Sequence, residues 1–311
     1  MPAVYTHYLF TSSLIEELPY KFNIEQQRLF LIGAQGSDPL YFYGQVLSRS
    51  NKKSVNHFAS KLHHQDTSSF ISFYIEEANK TKEFKDDLYA YLYGYISHYT
   101  LDRNTHPYVF YHSGTKGLYD HQVFEANLDL SMLINFNRRN IKSKVAFDRK
   151  GIKNILNKIS EIFYLYALKH GFKEIEKNSF IKGLKDMALA SKLLCSPKGR
   201  TKWFFNLVMK NKSANALAIP KKPYLGYDYL NLNKRAWKDP STKKEYNLSV
   251  LELLDQAKKD YLQTYEFLSK AYENNEYKSL LKSWTKEIDH DGKHYLSKNI
   301  VTKNIYMNNH E

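Results

Sequence analysis

Apolar residues recur along most of this chain at intervals of three and four, the repeat that lays them along one face of an α-helix. Ile152, Leu156, Ile159, Ile162, Phe163 and Tyr166 form one such stretch. The pattern predicts helices over 22–33, 66–80, 84–106, 119–137, 151–169, 177–193, 200–211, 247–272 and 275–287. Strand-like alternation bounded by turn residues is hard to find. Ser37-Asp38-Pro39, the loop from Gly114 to Gly117, Pro197-Lys198-Gly199 and Pro220-Lys221-Lys222-Pro223 punctuate the helices. The stretch 212–246 lacks the helical period and is polar, which predicts a surface loop. There is no internal repeat, and Gly33-Ala34-Gln35-Gly36 follows no predicted strand, so a dinucleotide fingerprint is excluded. The expected fold is all-α, a single helical domain over 1–311.

Composition supports a folded core: 42% of the 311 residues are hydrophobic and 25% charged, with only 12 Gly and 8 Pro to interrupt helices. No apolar run approaches the roughly eighteen residues of a membrane-spanning helix. The segment Met1 to His7 lacks the basic and apolar regions of a signal peptide, so the expected location is cytoplasmic. Cys195 is the single cysteine, which excludes an internal disulfide and a cysteine-built zinc site. Any metal must then be held by His, Asp and Glu.

The net charge of +14 is unevenly placed. Residues 1–130 carry a net −3 and residues 131–311 a net +17, whereas eight of the twelve His lie in the first 121 residues. The first 130 residues therefore suit metal coordination. The Lys residues beyond them are dispersed, which is the arrangement of solvated helix faces, although an anionic membrane or nucleic acid would also be attracted.

His98, Asp102 and His106 are spaced by four and four, so on a helix their side chains share one face within reach of a common ion. Pro107 predicts that the helix bends or ends at His106. His121 and Glu125 form a second i,i+4 pair, which a third ligand such as His106 would complete while leaving a position for water. Asp38 sits in the Gly36-Ser37-Asp38-Pro39 turn, and His63-His64-Gln65-Asp66-Thr67 precedes an apolar helix. Two ions a few ångströms apart in such a group could activate a water and neutralise negative charge that develops on a bound substrate. Asp38 is the candidate general base that orients the water.

The order His7, Gly-Ser-Asp38-Pro, His63-x-x-Asp-Thr67, His98-x3-Asp102 with a further His, and His121-x3-Glu125 resembles the zinc-dependent phospholipase C family, related to the single-strand-specific zinc nucleases. The resemblance covers about 1–130, and Trp237-Lys-Asp-Pro240 is similar to the C-terminal part of the bacterial intracellular members. It implies an all-helical domain with two or three Zn2+ ions in a cleft and hydrolysis of phosphoric esters. Carried over, His63, His98, Asp102 and Asp38 would surround one zinc. Asp102 would bridge to a second zinc held by His7 and the chain's N-terminus, with Pro2 as terminal amine if Met1 is removed. His106, His121 and Glu125 would hold the third. His57 and His64 compete with His63, and His112 with His106. The implied substrate is a phospholipid or another phosphodiester; alternatives are a nuclease or nucleotidase acting on nucleic acid, and a non-catalytic module that keeps the fold. No stable protein partner is implied.

The Tyr89, Tyr91, Tyr93, Tyr95 and Tyr99 run has two readings, core packing with bonded hydroxyls or ring faces lining a cleft for a cationic head group or nucleobase. Packing is favoured, because large aromatic side chains are usually core or near-core.

Overall fold

The computed structural model describes residues 4–18, 21–45, 48–114, 118–141, 143–194, 218–220, 222–223, 226–274 and 276–293. Among the described residues the chain is all-α apart from one short ribbon. Its axis is α6 (Lys85–Ser113), a 29-residue helix buried on every side from Leu88 to Asp102. A helix buried all round belongs in the middle of a fold, and the others pack around it.

Before α6 come α1 (Val4–Leu14), α2 (Ile24–Gly33), the single turn α3 (Pro39–Phe42), α4 (Lys52–His64) and α5 (Thr67–Lys80). After it come α7 (Leu118–Asn135), α8 (Lys153–Lys169), α9 (Ser179–Leu194), α10 (Val250–Leu262), α11 (Thr264–Glu273) and α12 (Lys278–Thr285). Local chemistry sets several starts. Asn23 and Gln26 form a capping box at α2, Ser249 and Glu252 another at α10, and the Asp66 side chain caps α5 through Ser68 N. The first turn of α1 is capped from a distance. Asp129 on α7 accepts from Tyr5 N at 3.0 Å, Thr6 N at 2.8 Å and Thr6 Oγ1 at 2.7 Å.

The largest apolar cluster joins residues from Val4 to Trp284, so helices of both chain halves share it. All five Tyr of the 89–99 run are buried, as the packing reading expected. A second cluster at the C-terminal end of α6 gathers Tyr108, Phe124, Tyr229, Trp237, Val250 and Leu253. Within the predicted loop 212–246, β1 (Trp237–Lys238) pairs antiparallel with β2 (Glu245–Tyr246), and Trp237 is buried against Tyr108. Parts of that stretch, with the predicted helix 200–211, Cys195 and the Pro197-Lys198-Gly199 break, lie outside the described residues.

Three differences from the sequence pattern have physical causes. Pro107 does not end α6, which continues to Ser113. Packing against α7 and the second cluster outweighs the single hydrogen bond that Pro107 removes. The predicted helix 247–272 is two helices, because α10 stops at Gln263 and α11 starts at the next residue. The pattern also missed α1 and α4. α1 buries Thr6, His7 and Thr11 along with its apolar residues and so shows no stripe, whereas α4 does carry one, at Val55, Phe58, Ala59 and Leu62.

Candidate metal centre

The centre is built on α6. Helical spacing stacks His98, Asp102 and His106 on one face, and the helix continues through Pro107, so His106 keeps its helical position. His98 Nε2 lies 3.1 Å from Asp102 Oδ2, and His106 Nε2 lies 3.7 Å from Asp102 Oδ1. α1 brings His7 to the same carboxylate, with Nε2 3.1 Å from Asp102 Oδ1 and its ring stacked on His98 at 4.3 Å. The turn before α3 brings Asp38, and the end of α4 brings His63; Asp38 Oδ1 is 2.9 Å from His63 Nε2 and 4.0 Å from His98 Nε2.

From α7, His121 Nε2 is 3.1 Å from Glu125 Oε1, which is also 3.7 Å from His106 Nε2. His106 thus lies between Asp102 and Glu125. All eight residues singled out in the sequence are buried and converge on one region. Two of the three competing residues lie apart. His57 packs on Phe172, and His112 stacks on Phe124 with Nδ1 2.5 Å from the Tyr227 hydroxyl. His64 is exposed, with Nδ1 3.5 Å from Asp291 Oδ2. Met1 and Pro2 lie outside the described residues.

One residue has no counterpart in the sequence reading. His290, in the segment after α12, is completely buried, its Nδ1 3.4 Å from Asp102 Oδ2 and its ring 4.7 Å from that of His63. Ligand atoms of His63, His98, Asp102 and His290 lie within 4.8 Å of one another, as do those of His106, His121 and Glu125. Asp38 is not in the first of these groups and flanks it through His63 and His98. A third group, His64, Asp289 and Asp291, lies at the rim, where Lys293 Nζ is bonded to Asp291 at 2.9 Å.

The imidazoles are oriented for metal. His63 Nδ1 is bonded to the Ala59 carbonyl at 3.0 Å, His98 Nδ1 to the Ala34 carbonyl at 3.1 Å, and His106 Nδ1 to the His290 carbonyl at 2.6 Å. A carbonyl only accepts, so each Nδ1 carries a hydrogen, and in the neutral ring each Nε2 turns its lone pair inward. Lone pairs then face carboxylates. His7 Nδ1, His98 Nε2 and His290 Nε2 are buried and make no hydrogen bond. Such a donor set is satisfied by cations, and its nitrogen and oxygen atoms are those zinc takes.

The electrostatics agree. Burial would raise the Asp102 carboxyl, but His98, His106 and His7 around it hold it well below the usual carboxylate range. Burial acts on Asp38 in the same direction and is outweighed by the His63 hydrogen bond and His98. Glu125 is likewise held low, chiefly by His121, against the burial that opposes it. Burial lowers His106, yet Asp102 and the hydrogen bond to Glu125 dominate and raise it to about 9, so an ion bound there would take the place of a proton on Nε2. For His290 burial wins and its pKa falls to about 3. The carboxylates stay ionised without help from pH.

In this helical fold, buried His and carboxylate side chains from four or more segments meet along one central helix in groups that could hold metal ions. The family model for zinc-dependent phospholipase C matches residues 6–177, more than half of the chain, and the chain belongs to that family. No curated protein and no solved structure matches it. Family membership and the buried ligand groups together support a zinc hydrolase. Among the described residues no helix is long and apolar enough to cross a membrane.

Proposed function

We propose that the chain is a zinc-dependent phosphodiesterase of phospholipase C type, acting on a phospholipid or a similar phosphodiester as one unit over 1–311. The observation that carries this reading is the position of His106 Nε2, 3.7 Å from both Asp102 and Glu125. It makes the two ligand groups adjoin, which suits adjacent ions sharing one ester. His63, His98 and Asp102, flanked by Asp38, would hold one ion, His7 with Asp102 a second, and His106, His121 and Glu125 another.

When bound, zinc supplies a lowered pKa for water and Lewis-acid polarisation of the phosphoryl oxygens. The chain's residues supply the rest. Carbonyl-anchored imidazoles keep their donor atoms in place without reorganisation, and the ionised Asp38 orients a water toward phosphorus. Its depressed pKa suits orienting that water better than retaining its proton. The basic excess beyond residue 130 would favour an anionic membrane or another polyanionic substrate.

The test begins with elemental analysis of purified protein. Two or three zinc per chain, and hydrolysis of a phosphocholine ester that Asp102→Asn abolishes, are the expected results. Cleavage of single-stranded DNA in place of the ester would move the protein to the nuclease and nucleotidase side. Less than one zinc per chain, with stability indifferent to chelator, would leave a non-catalytic module.

A further inference from the structure

We propose that His290 is a further protein ligand of the metal centre, delivered to the His63, His98 and Asp102 group by the segment Ile288–Lys293. The proposal rests on the zinc reading above and extends it to a residue 113 positions beyond the stretch matched by the family model.

As a purely structural residue His290 is poorly accommodated. It is completely buried, Nδ1 has one long contact of 3.4 Å to Asp102 Oδ2, and Nε2 has no hydrogen bond. Buried imidazole nitrogens are normally bonded. Yet the segment that carries it is fixed from every side. Tyr99 donates its hydroxyl to the Ile288 carbonyl at 2.6 Å, His290 N donates to the His63 carbonyl at 3.1 Å, and His106 Nδ1 donates to the His290 carbonyl. Asp289 N donates to the Lys293 carbonyl at 2.8 Å, closing the turn. Gly292 adopts a φ of +72°, and a Cβ there would lie 2.8 Å from the Arg103 carbonyl and from Pro107 Cγ. The segment therefore lies directly on α6, and only glycine fits at that point.

These contacts give the segment two roles in one centre. The His290 ring stands among His63, His98 and Asp102, and its carbonyl sets the orientation of His106 in the neighbouring group. With His290 counted, the Asp102 group has four protein donors, the number of a closed site. The His106, His121 and Glu125 group has three, the number that leaves a position open.

The test uses cobalt(II) in the full-length chain freed of metal by a chelator. His290→Cys is expected to bind cobalt and show a thiolate-to-metal charge-transfer band that equally loaded wild type lacks. His290→Ala is expected to hold cobalt at least about tenfold more weakly, the least that loss of even an outer-shell partner typically costs, with added imidazole restoring wild-type affinity. Circular dichroism of the metal-free variants confirms folding. Either the band or the imidazole-reversible loss supports the assignment, and the second stands alone where the Cys variant fails to fold. Absence of both, while wild type binds cobalt, overturns His290 as a ligand and leaves the zinc reading intact. Failure of wild type itself to bind cobalt overturns both.

Discussion

Gly33 and Gly94 meet where α2 crosses α6, and a Cβ on either would come within 2.9 Å of the other's Cα. A Cβ on Gly94 would also stand 2.0 Å from the Phe30 carbonyl, and one on Gly33 2.3 Å from the Tyr91 carbonyl. These neighbours are backbone and cannot turn aside. The contact draws the end of α2 against α6 one turn before His98, and that proximity lets His98 Nδ1 reach the Ala34 carbonyl.

Gly94→Ala is therefore expected to force the two helices apart. Overpacking of a tight core costs about 1–3 kcal/mol and more where backbone must move, which outweighs the gain in helix propensity of at most about 1 kcal/mol. Thermal unfolding of the metal-free protein measures the loss directly. An unchanged midpoint would show that the helices do not approach this closely.

Asp129→Ala tests the long-range cap of α1. It strands the buried donors Tyr5 N, Thr6 N and Thr6 Oγ1, each worth about 1–3 kcal/mol when left unbonded. Partial compensation by water brings the expected total to about 3 kcal/mol. Because His7 follows Thr6 directly, zinc retention during dialysis should fall as well, and Asp129→Asn, which keeps an acceptor, should be milder on both measures.

Removal of metal should destabilise the whole chain and not one loop, since the proposed ligands come from α1, the turn before α3, α4, α6, α7 and the segment after α12. Ligand at a hundred times its dissociation constant adds about 2.7 kcal/mol. Chelation should lower the unfolding temperature by a matching amount and zinc should restore it. A midpoint indifferent to both treatments would contradict the fit of the donor set to a cation.

His112 gives a pH prediction independent of the metal. Burial lowers its pKa from 6.5 to about 4, against a smaller opposing effect of Asp228. The folded state resists protonation that the unfolded chain accepts, so this contribution is complete above pH 6.5 and is lost as pH falls toward 4. Between pH 7 and 5 it amounts to about 2 kcal/mol. His112→Phe removes the titration while keeping a ring against Phe124, and should flatten the acid limb of the stability curve by that amount. A variant with the same acid limb as wild type would rule out this origin.

How far the sequence discloses the centre depends on how its ligands are spaced. His98, Asp102 and His106, like His121 and Glu125, lie within single helices, so periodicity alone places them together. His7, Asp38 and His63 lie on separate elements: Asp38 and His63 stood out as ligand-type residues in their own segments, and the order of the whole set along the chain, as a family resemblance, joined them and His7 to the site. His290 escaped both routes, because it has no helical partner and follows the last helix. The run Asp289-His290-Asp291, three ligand-type residues in succession, was the one local sign of it. The fold was legible wherever a helix has a distinct apolar stripe, and illegible at α1, where burial on almost every side erases the period.

The hydrogen bond from His106 to the His290 carbonyl joins residues 184 positions apart. Closing so long a loop carries an entropy cost that grows with the logarithm of its length, and contacts this remote form after the local ones. α6 can wind through its own i→i+4 bonds and align His98 with Asp102 while the C-terminal helices are still unfolded. Docking of Ile288–Lys293 onto α6 is then expected after α6 has formed, and under the proposed zinc reading an ion that entered before it would meet an incomplete cage. On that reading metal retention would report how far folding has gone.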